Sequence, residues 1–377
     1  MSIIKIDKIG IFKYNYKITN KKFNIICISL FKMKNSYREL KVYTDGILEI
    51  YKHYKKYFPD FILRVYYDNS VIDDDNFIKL YNILDKNKQQ LIHFDCPKFK
   101  IDKKYHRGIF GMIMRYIPYF KFENNDAKLS IVLDAEPDFN HKIDKWLSYF
   151  RVFINKFIKS DAQFFRNYQL CTNHSHIPNQ KDWILGFMNA SKYKFDIHMI
   201  QKFLNDDLNE YKKNYPILYQ NTLKMKDKND SIFFYGIDEI FLATEIKTFL
   251  DKNKIKYMTY VLPHHIHFYY VLLEIIFKNS INHKNKKEYD KITKIINNKL
   301  NKNFINFKDV LKYIGKNYDY IGKTDKNIVY KIMRKIFVKI YEKKNKKYID
   351  LLNINDYRCL FLTDKYYDDT NSLIITN

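Results

Sequence analysis

Short apolar runs alternate with stretches of helical periodicity through residues 1–140, and few architectures accept that order. Phe23–Phe31 (FNIICISLF) is rich in branched and aromatic side chains and reads as a strand. Tyr37–Tyr57 then sets Leu40, Tyr43, Ile47, Ile50, Tyr51 and Tyr54 at helical spacing, and Pro59 stops that helix. Phe61–Tyr67 is a second strand closed by Asp68-Asn69-Ser70, Asn76–Leu84 is a helix, and Gln90–Cys96 is a third strand. Arg107–Phe120 carries Phe110, Ile113, Met114 and Ile117 on the apolar side of a further helix, which leads into the fourth strand, Leu129–Leu133. This order predicts an α/β domain with a mostly parallel central sheet and helices on its faces. Ligands of such sheets bind beyond the carboxyl ends of the strands.

Three acids stand at one of those ends. The fourth strand runs out through LSIVLDAEPDFN, with Asp134, Glu136 and Asp138. Alternate side chains of an extended chain point the same way, so Asp134 and Glu136 converge as the strand leaves the core. Two carboxylates held there suit a Mg²⁺ or Mn²⁺ ion bridging a diphosphate. A solvated acidic turn around Pro137 is the simpler description of the same residues. Asp68 ends the second strand on the same edge, placed to accept hydrogen bonds from a ribose or base with Tyr66 or Tyr67 stacking, although Asp-Asn-Ser is also ordinary turn chemistry. Arg115 precedes the acidic strand end, where a guanidinium suits either bidentate phosphate contact or a salt bridge to the nearby acids. Arg107, between His106 and Gly108 at the expected start of the helix, is a second cation near free N–H groups.

Composition narrows the classes. With 46 % hydrophobic and 18 % aromatic residues, the chain of 377 is no disordered polymer. A formal charge of +25 raises nucleic acid or an anionic membrane as partner. Lysine, however, rises here together with Asn, Ile, Tyr and Phe, whose codons are A/T-rich, and glycine falls to 8, so genome composition accounts for the charge as well. Cys27, Cys96, Cys171 and Cys359 form no close pair, which argues against a zinc ribbon or disulfide scaffold and suits a reducing compartment. The opening MSIIKIDKIGIFKYNYK has no apolar signal region, and Tyr260–Phe277 is interrupted by Pro263, three histidines and Glu274, so it reads as core. A soluble cytoplasmic protein is expected. The chain has no Walker loop, GxGxxG, HExxH or GxSxG, which argues against the NTPase, dehydrogenase, zincin and serine hydrolase classes.

Farther along, helices are expected at Asp144–Lys159, Asp196–Leu208 and Ile240–Leu250, and a short strand at Ser231–Tyr235. The loop TNHSHIPNQKDW carries His174 and His176 and leads to the apolar stretch Ile184–Met188. Asp238 and Glu239 fall at a helix mouth, where acids commonly cap. His264, His265 and His267 have ligand-like spacing and are equally at home as core histidines. Beyond Lys278 the chain turns lysine-rich and helical in period. Residues 1–280 are therefore expected to form the α/β domain and 281–377 a mostly helical region.

Two stretches carry a resemblance. Residues 105–138, YHRGIFGMIMRYIPYFKFENNDAKLSIVLDAEPD, resemble the segment of GT-A-fold glycosyltransferases in which an Arg- and Pro-containing helix leads to a strand ending in Asp-x-Asp. Phe234-Tyr235-Gly236-Ile237-Asp238-Glu239-Ile240-Phe241-Leu242 resembles the acidic stretch that caps the acceptor side of those enzymes. As a pattern the likeness spans roughly residues 20–280 of this nucleotide-diphospho-sugar transferase superfamily. It implies that Asp134 and Glu136 hold Mn²⁺ or Mg²⁺ and the donor's diphosphate, with Asp138 and His265 completing the metal site. Asp68, Tyr67, Arg107 and Arg115 would then bind the donor, and Asp238 or Glu239 would act on the acceptor hydroxyl as base or orienter. Glu136 departs from the usual Asp by one methylene. The expected activity is metal-assisted sugar transfer from a nucleotide-diphosphate sugar to an acceptor. The alternatives are a catalytically inactive binding or structural protein of the same fold, and a basic nucleic-acid-binding protein. The codon bias suggests a fast-evolving lineage such as a large DNA virus.

Overall fold

Ile25, Ile26, Cys27 and Ile28 are each sealed from solvent, which requires a strand covered on both faces. They belong to β3 (Phe23–Leu30), the centre of a mixed sheet that also contains β1 (Ser2–Ile6), β2 (Gly10–Tyr14), β4 (Phe61–Tyr67), β5 (Gln90–Asp95), β7 (Ala127–Val132), β8 (Gln163–Arg166) and β9 (Asn189–Ser191). The computed structural model describes residues 1–34, 39–135, 147, 163–166, 184, 186, 189–216, 232–255, 257–260, 286–310, 313, 363–366 and 374–375. Contacts divide the chain into two compact units, 1–166 with 183–258 and 366–371, and 167–182 with 259–365 and 372–377.

In the first unit the strand order is β1-β2-β5-β4-β3-β7-β9-β8. β5, β4, β3 and β7 are mutually parallel neighbours, while β9 runs antiparallel to β7 and β8 antiparallel to β9. The expected α/β class with a largely parallel sheet and flanking helices is therefore present. α1 (Leu40–Tyr57) and α2 (Asp75–Lys86) follow β3 and β4, and Asp74 caps α2 by accepting from Asn76 N at 3.0 Å. Both helices cover one sheet face: Tyr54 of α1 donates to Gln89, and Phe77 of α2 packs against Tyr67. Residues 96–119 cover the other, where Phe110 packs on Phe94 and Gly111 lies so close to Phe31 that a β-carbon would overlap its ring.

Several expectations change. The N-terminal segment forms the hairpin β1–β2, with Ile4, Ile6, Phe12 and Tyr14 buried and Lys5 and Lys13 exposed in strict alternation. The helix expected over Arg107–Phe120 shortens to α3 (Gly111–Met114) and a 3₁₀ turn, Ile117–Tyr119, because Pro118 cannot donate to a continuing helix and Gly108 takes a left-handed φ of 49°. A further short strand, β6 (Phe120–Lys121), pairs parallel with β10 (Phe195–Asp196). Asp196 caps α4 (Ile197–Lys202), which passes through a wide π-type turn, Phe203–Asp207, into α5 (Leu208–Asn214). Residues 232–235 are turn and not the expected strand. They lead into α6 (Ile237–Ile240), a second π-type turn, Phe241–Lys247, and α7 (Thr248–Lys252). The helix expected at Asp144–Lys159 lies outside the described residues except for Leu147, and so does the boundary expected near residue 280.

In the second unit the described residues include α8 (Lys286–Leu300), and Thr363 and Asp364 pair antiparallel with Ile375 and Ile374. Among the described residues no helix is long and apolar enough to cross a membrane.

Candidate functional site at the β3–β7 edge

From β3 the chain steps outward through β4 to β5, then returns to lay β7 on the opposite side of β3. The order therefore reverses between β3 and β7, and in open α/β sheets that reversal leaves a crevice at the carboxyl edge. Leu133 N extends the ladder one residue by donating to Cys27 O at 3.0 Å, and the next residue is Asp134.

Arg115 follows α3 and is only 1 % exposed. Its Nη1 donates to Leu133 O at 3.2 Å and pairs with Asp134 Oδ1, while its Nη2 donates to Asp238 Oδ2 at 2.8 Å. The guanidinium also lies over the Tyr116 ring, 5.4 Å from its centre. Burial opposes its charge, but Tyr116, Asp134 and Asp238 outweigh burial and hold Arg115 firmly protonated. Asp238 is buried in the first turn of α6, just after Gly236, whose φ of 85° suits glycine alone. Burial pushes the Asp238 carboxyl above the usual carboxylate range, and Arg115 pulls against that shift. Asp134 keeps 34 % of its side chain exposed, so of the three charged groups it is the one that opens to solvent.

The residues after this pair clamp a third segment. Tyr116 donates its hydroxyl to Gly186 O, and Gly186 N donates to Glu239 Oε1 at 3.3 Å. A β-carbon at 186 would overlap Asp238 Oδ2 and stand 3.1 Å from Arg115 Nη2, so the ion pair closes only over glycine. Gly186 and Tyr116 were not among the candidates. The one available signal was a single glycine inside ILGFM in a chain with 8.

The other candidates are placed as follows. Asp68 ends β4 fully buried: Oδ1 accepts from Ser70 N at 3.0 Å and from the Ser70 hydroxyl, and Oδ2 faces His106 Nδ1 at 2.6 Å. Because His106 Nε2 accepts from Cys96 N at 3.2 Å, the proton sits on Nδ1 and both Asp68 oxygens are acceptors within the fold. Tyr67 is half-buried between Phe77 and His93, with ring centres at 4.8 and 5.4 Å. Arg107 is exposed. Asp134, Arg115, Asp238 and Glu239 are thus brought together, while Glu136, Asp138, His265, His174 and His176 lie outside the described residues.

Among the described residues no group of three or more His, Cys, Asp or Glu is arranged to hold a metal ion. Asp134 fits the chemistry of a hard cation as far as it goes, with a carboxylate that is partly exposed and one oxygen on Arg115. Set against known proteins, the chain matches no family model and no curated protein.

Proposed function

We propose that the first unit is a glycosyltransferase that binds a nucleotide-diphosphate sugar over the β3–β7 crevice and transfers its sugar to an acceptor. The observation that carries this reading is the place of Asp134: it emerges at the reversal of a doubly wound strand order, oriented by Arg115. The likeness of residues 105–138 and 234–242 to GT-A enzymes adds to it. In this reading Arg115 positions Asp134 against the strand end, and Asp238 holds the guanidinium in place. Glu239, half-buried beside it, is the more accessible group to receive the acceptor's proton. Asp134 would hold Mn²⁺ or Mg²⁺ together with Glu136 and Asp138, which follow it in the same unit; when bound, such an ion supplies positive charge to a departing diphosphate.

A second reading, an inactive domain that only binds, is favoured by the same contact, since one oxygen of Asp134 is already taken by a guanidinium. The nucleic-acid reading draws less support, because exposed lysines are spread over β1, β2, α1, α2 and β7 (Lys5, Lys13, Lys41, Lys79, Lys128) and not gathered on one face.

Thermal melting against a panel of nucleoside diphosphates, with and without Mn²⁺, tests the proposal on wild type and Asp134→Ala. Stabilisation by one nucleotide that requires both the metal and Asp134 supports transfer and names the donor class. Stabilisation without any need for metal points to the binding domain, and no stabilisation by any nucleotide overturns both.

A further inference from the structure

α8, in the second unit, turns Thr293, Ile296 and Leu300 inward and Lys291, Lys294, Ile295, Asn298 and Lys299 outward. Its last turn is followed by Asn301, at a φ of 51°, and by a loop that two side chains hold in shape. Asn297 Nδ2 donates to Phe304 O and Asn297 Oδ1 accepts from Phe304 N, both at 2.8 Å. On the far side, Asp309 N donates to Asn306 Oδ1 at 3.1 Å and Asn306 N donates to Asp309 Oδ2 at 3.3 Å, a reciprocal cap on the next helical turn. Between these clamps Phe304 packs on Tyr313, Phe307 is buried, and Ile305 stands 90 % exposed.

A lone exposed isoleucine is common, but this one is presented by a doubly pinned loop, and lysines outnumber acids around it. From residue 286 to 309 the chain has seven lysines (286, 287, 291, 294, 299, 302 and 308) against three acids, Glu288, Asp290 and Asp309. On α8, Lys291, Ile295 and Lys299 fall four residues apart on one exposed stripe that leads toward the loop. A rigid apolar tip inside a basic field is the pair of signals that peripheral membrane binding needs, because neither insertion of one side chain nor a few lysines suffices alone. A polyanion such as nucleic acid would use the lysines and leave Ile305 idle.

We propose that the loop 301–306 and the outer stripe of α8 dock on an anionic lipid surface, with Ile305 inserted at the headgroup boundary and Lys291, Lys294 and Lys299 on the acidic headgroups. This is independent of the transferase reading.

Co-sedimentation of the full chain with phosphatidylcholine vesicles, with and without phosphatidylserine, tests it. Binding is expected only to the phosphatidylserine vesicles, weakening with salt. Ile305→Ser is expected to lower the affinity about tenfold, and Lys294→Glu or Lys299→Glu about fivefold or more each. All three positions are exposed, so unchanged melting temperatures will separate lost docking from lost folding. Absence of wild-type binding to phosphatidylserine vesicles overturns the proposal. Binding that Ile305→Ser leaves intact also overturns it, as does tight duplex-DNA binding that depends on the lysines and not on Ile305.

Discussion

Arg115 Nη2 donates to Asp238 Oδ2 at 2.8 Å, joining residues 123 positions apart in the chain. The same guanidinium holds Leu133 O and Asp134, so one buried cation ties the end of β7 to the first turn of α6. Two carboxylates around one guanidinium leave the cluster net negative, and only Asp134 among them is relieved by solvent.

Asp238→Ala should therefore destabilise the first unit by about 1–3 kcal/mol, the cost of leaving Arg115 Nη2 buried without its acceptor while Nη1 keeps Asp134. Urea unfolding at neutral pH reads it, and a loss under about 1 kcal/mol would show that Arg115 finds water or another partner. Asp134→Ala should cost less, because its side chain is a third exposed and Asp238 remains on the guanidinium.

Gly186→Ala tests the same junction from the third segment. The added methyl meets Asp238 Oδ2, so either the ion pair opens or the 186 peptide shifts off Tyr116 and Glu239. A loss of about 1–3 kcal/mol is expected, in the range of overpacked sites. The loss should shrink in an Asp238→Ala background, where the obstacle is gone; equal losses in both backgrounds would refute the contact.

The sheet was legible because its signals are local. β4 has the bounds that its apolar run predicts, and α1 and α2 follow from helical spacing and a stopping Pro59. The hairpin is legible too, in the alternation of Ile4, Lys5, Ile6 and of Phe12, Lys13, Tyr14, although strands of five residues give the period little length to show. The broken segment 107–120 shows where period misleads: Phe110, Ile113 and Ile117 keep helical spacing while Gly108 and Pro118 interrupt the backbone. The site was legible only in part. The sequence offered Asp134 and Arg115 as neighbours, but no local signal says that Asp238 or Gly186 meets them, since only the closed fold brings those segments together.

Lys194 makes a prediction about pH. Its ammonium donates to Pro118 O at 2.5 Å, close to Arg64, Asp126 and Lys22, and burial pulls it down to about 8. The unfolded chain keeps the ordinary lysine value near 10.4, so between those values the unfolded state binds more protons and stability rises with pH. The penalty is full below about pH 8 and is relieved above it. Lys194→Met removes the titrating group. Its stability relative to wild type should be most favourable at pH 7 and decline by pH 9.5, and a pH-independent difference between the two would contradict this.

The last prediction concerns the amino-terminal side of the sheet. Arg64, in the middle of β4, is fully buried: Nη2 meets Asp126 Oδ1 at 2.7 Å, Nε donates to Gln90 Oε1 at 2.8 Å, and Tyr16 donates its hydroxyl to Asp126 Oδ2 at 2.7 Å. Asp126 O in turn accepts from Phe23 N at 2.8 Å, so the pair fixes the starts of β3 and β7 below the crevice. Asp126→Ala alone should cost about 3–5 kcal/mol, because Arg64 is left charged in the core. Arg64→Met combined with Asp126→Leu strands no charge and leaves only Gln90 and Tyr16 short of partners, each worth about 1 kcal/mol. The double variant should therefore be more stable than Asp126→Ala, and the cycle of single and double variants should give a coupling of at least about 1 kcal/mol. Additive losses would mean that the two charges are solvated separately and that the start of β7 is held by backbone pairing alone.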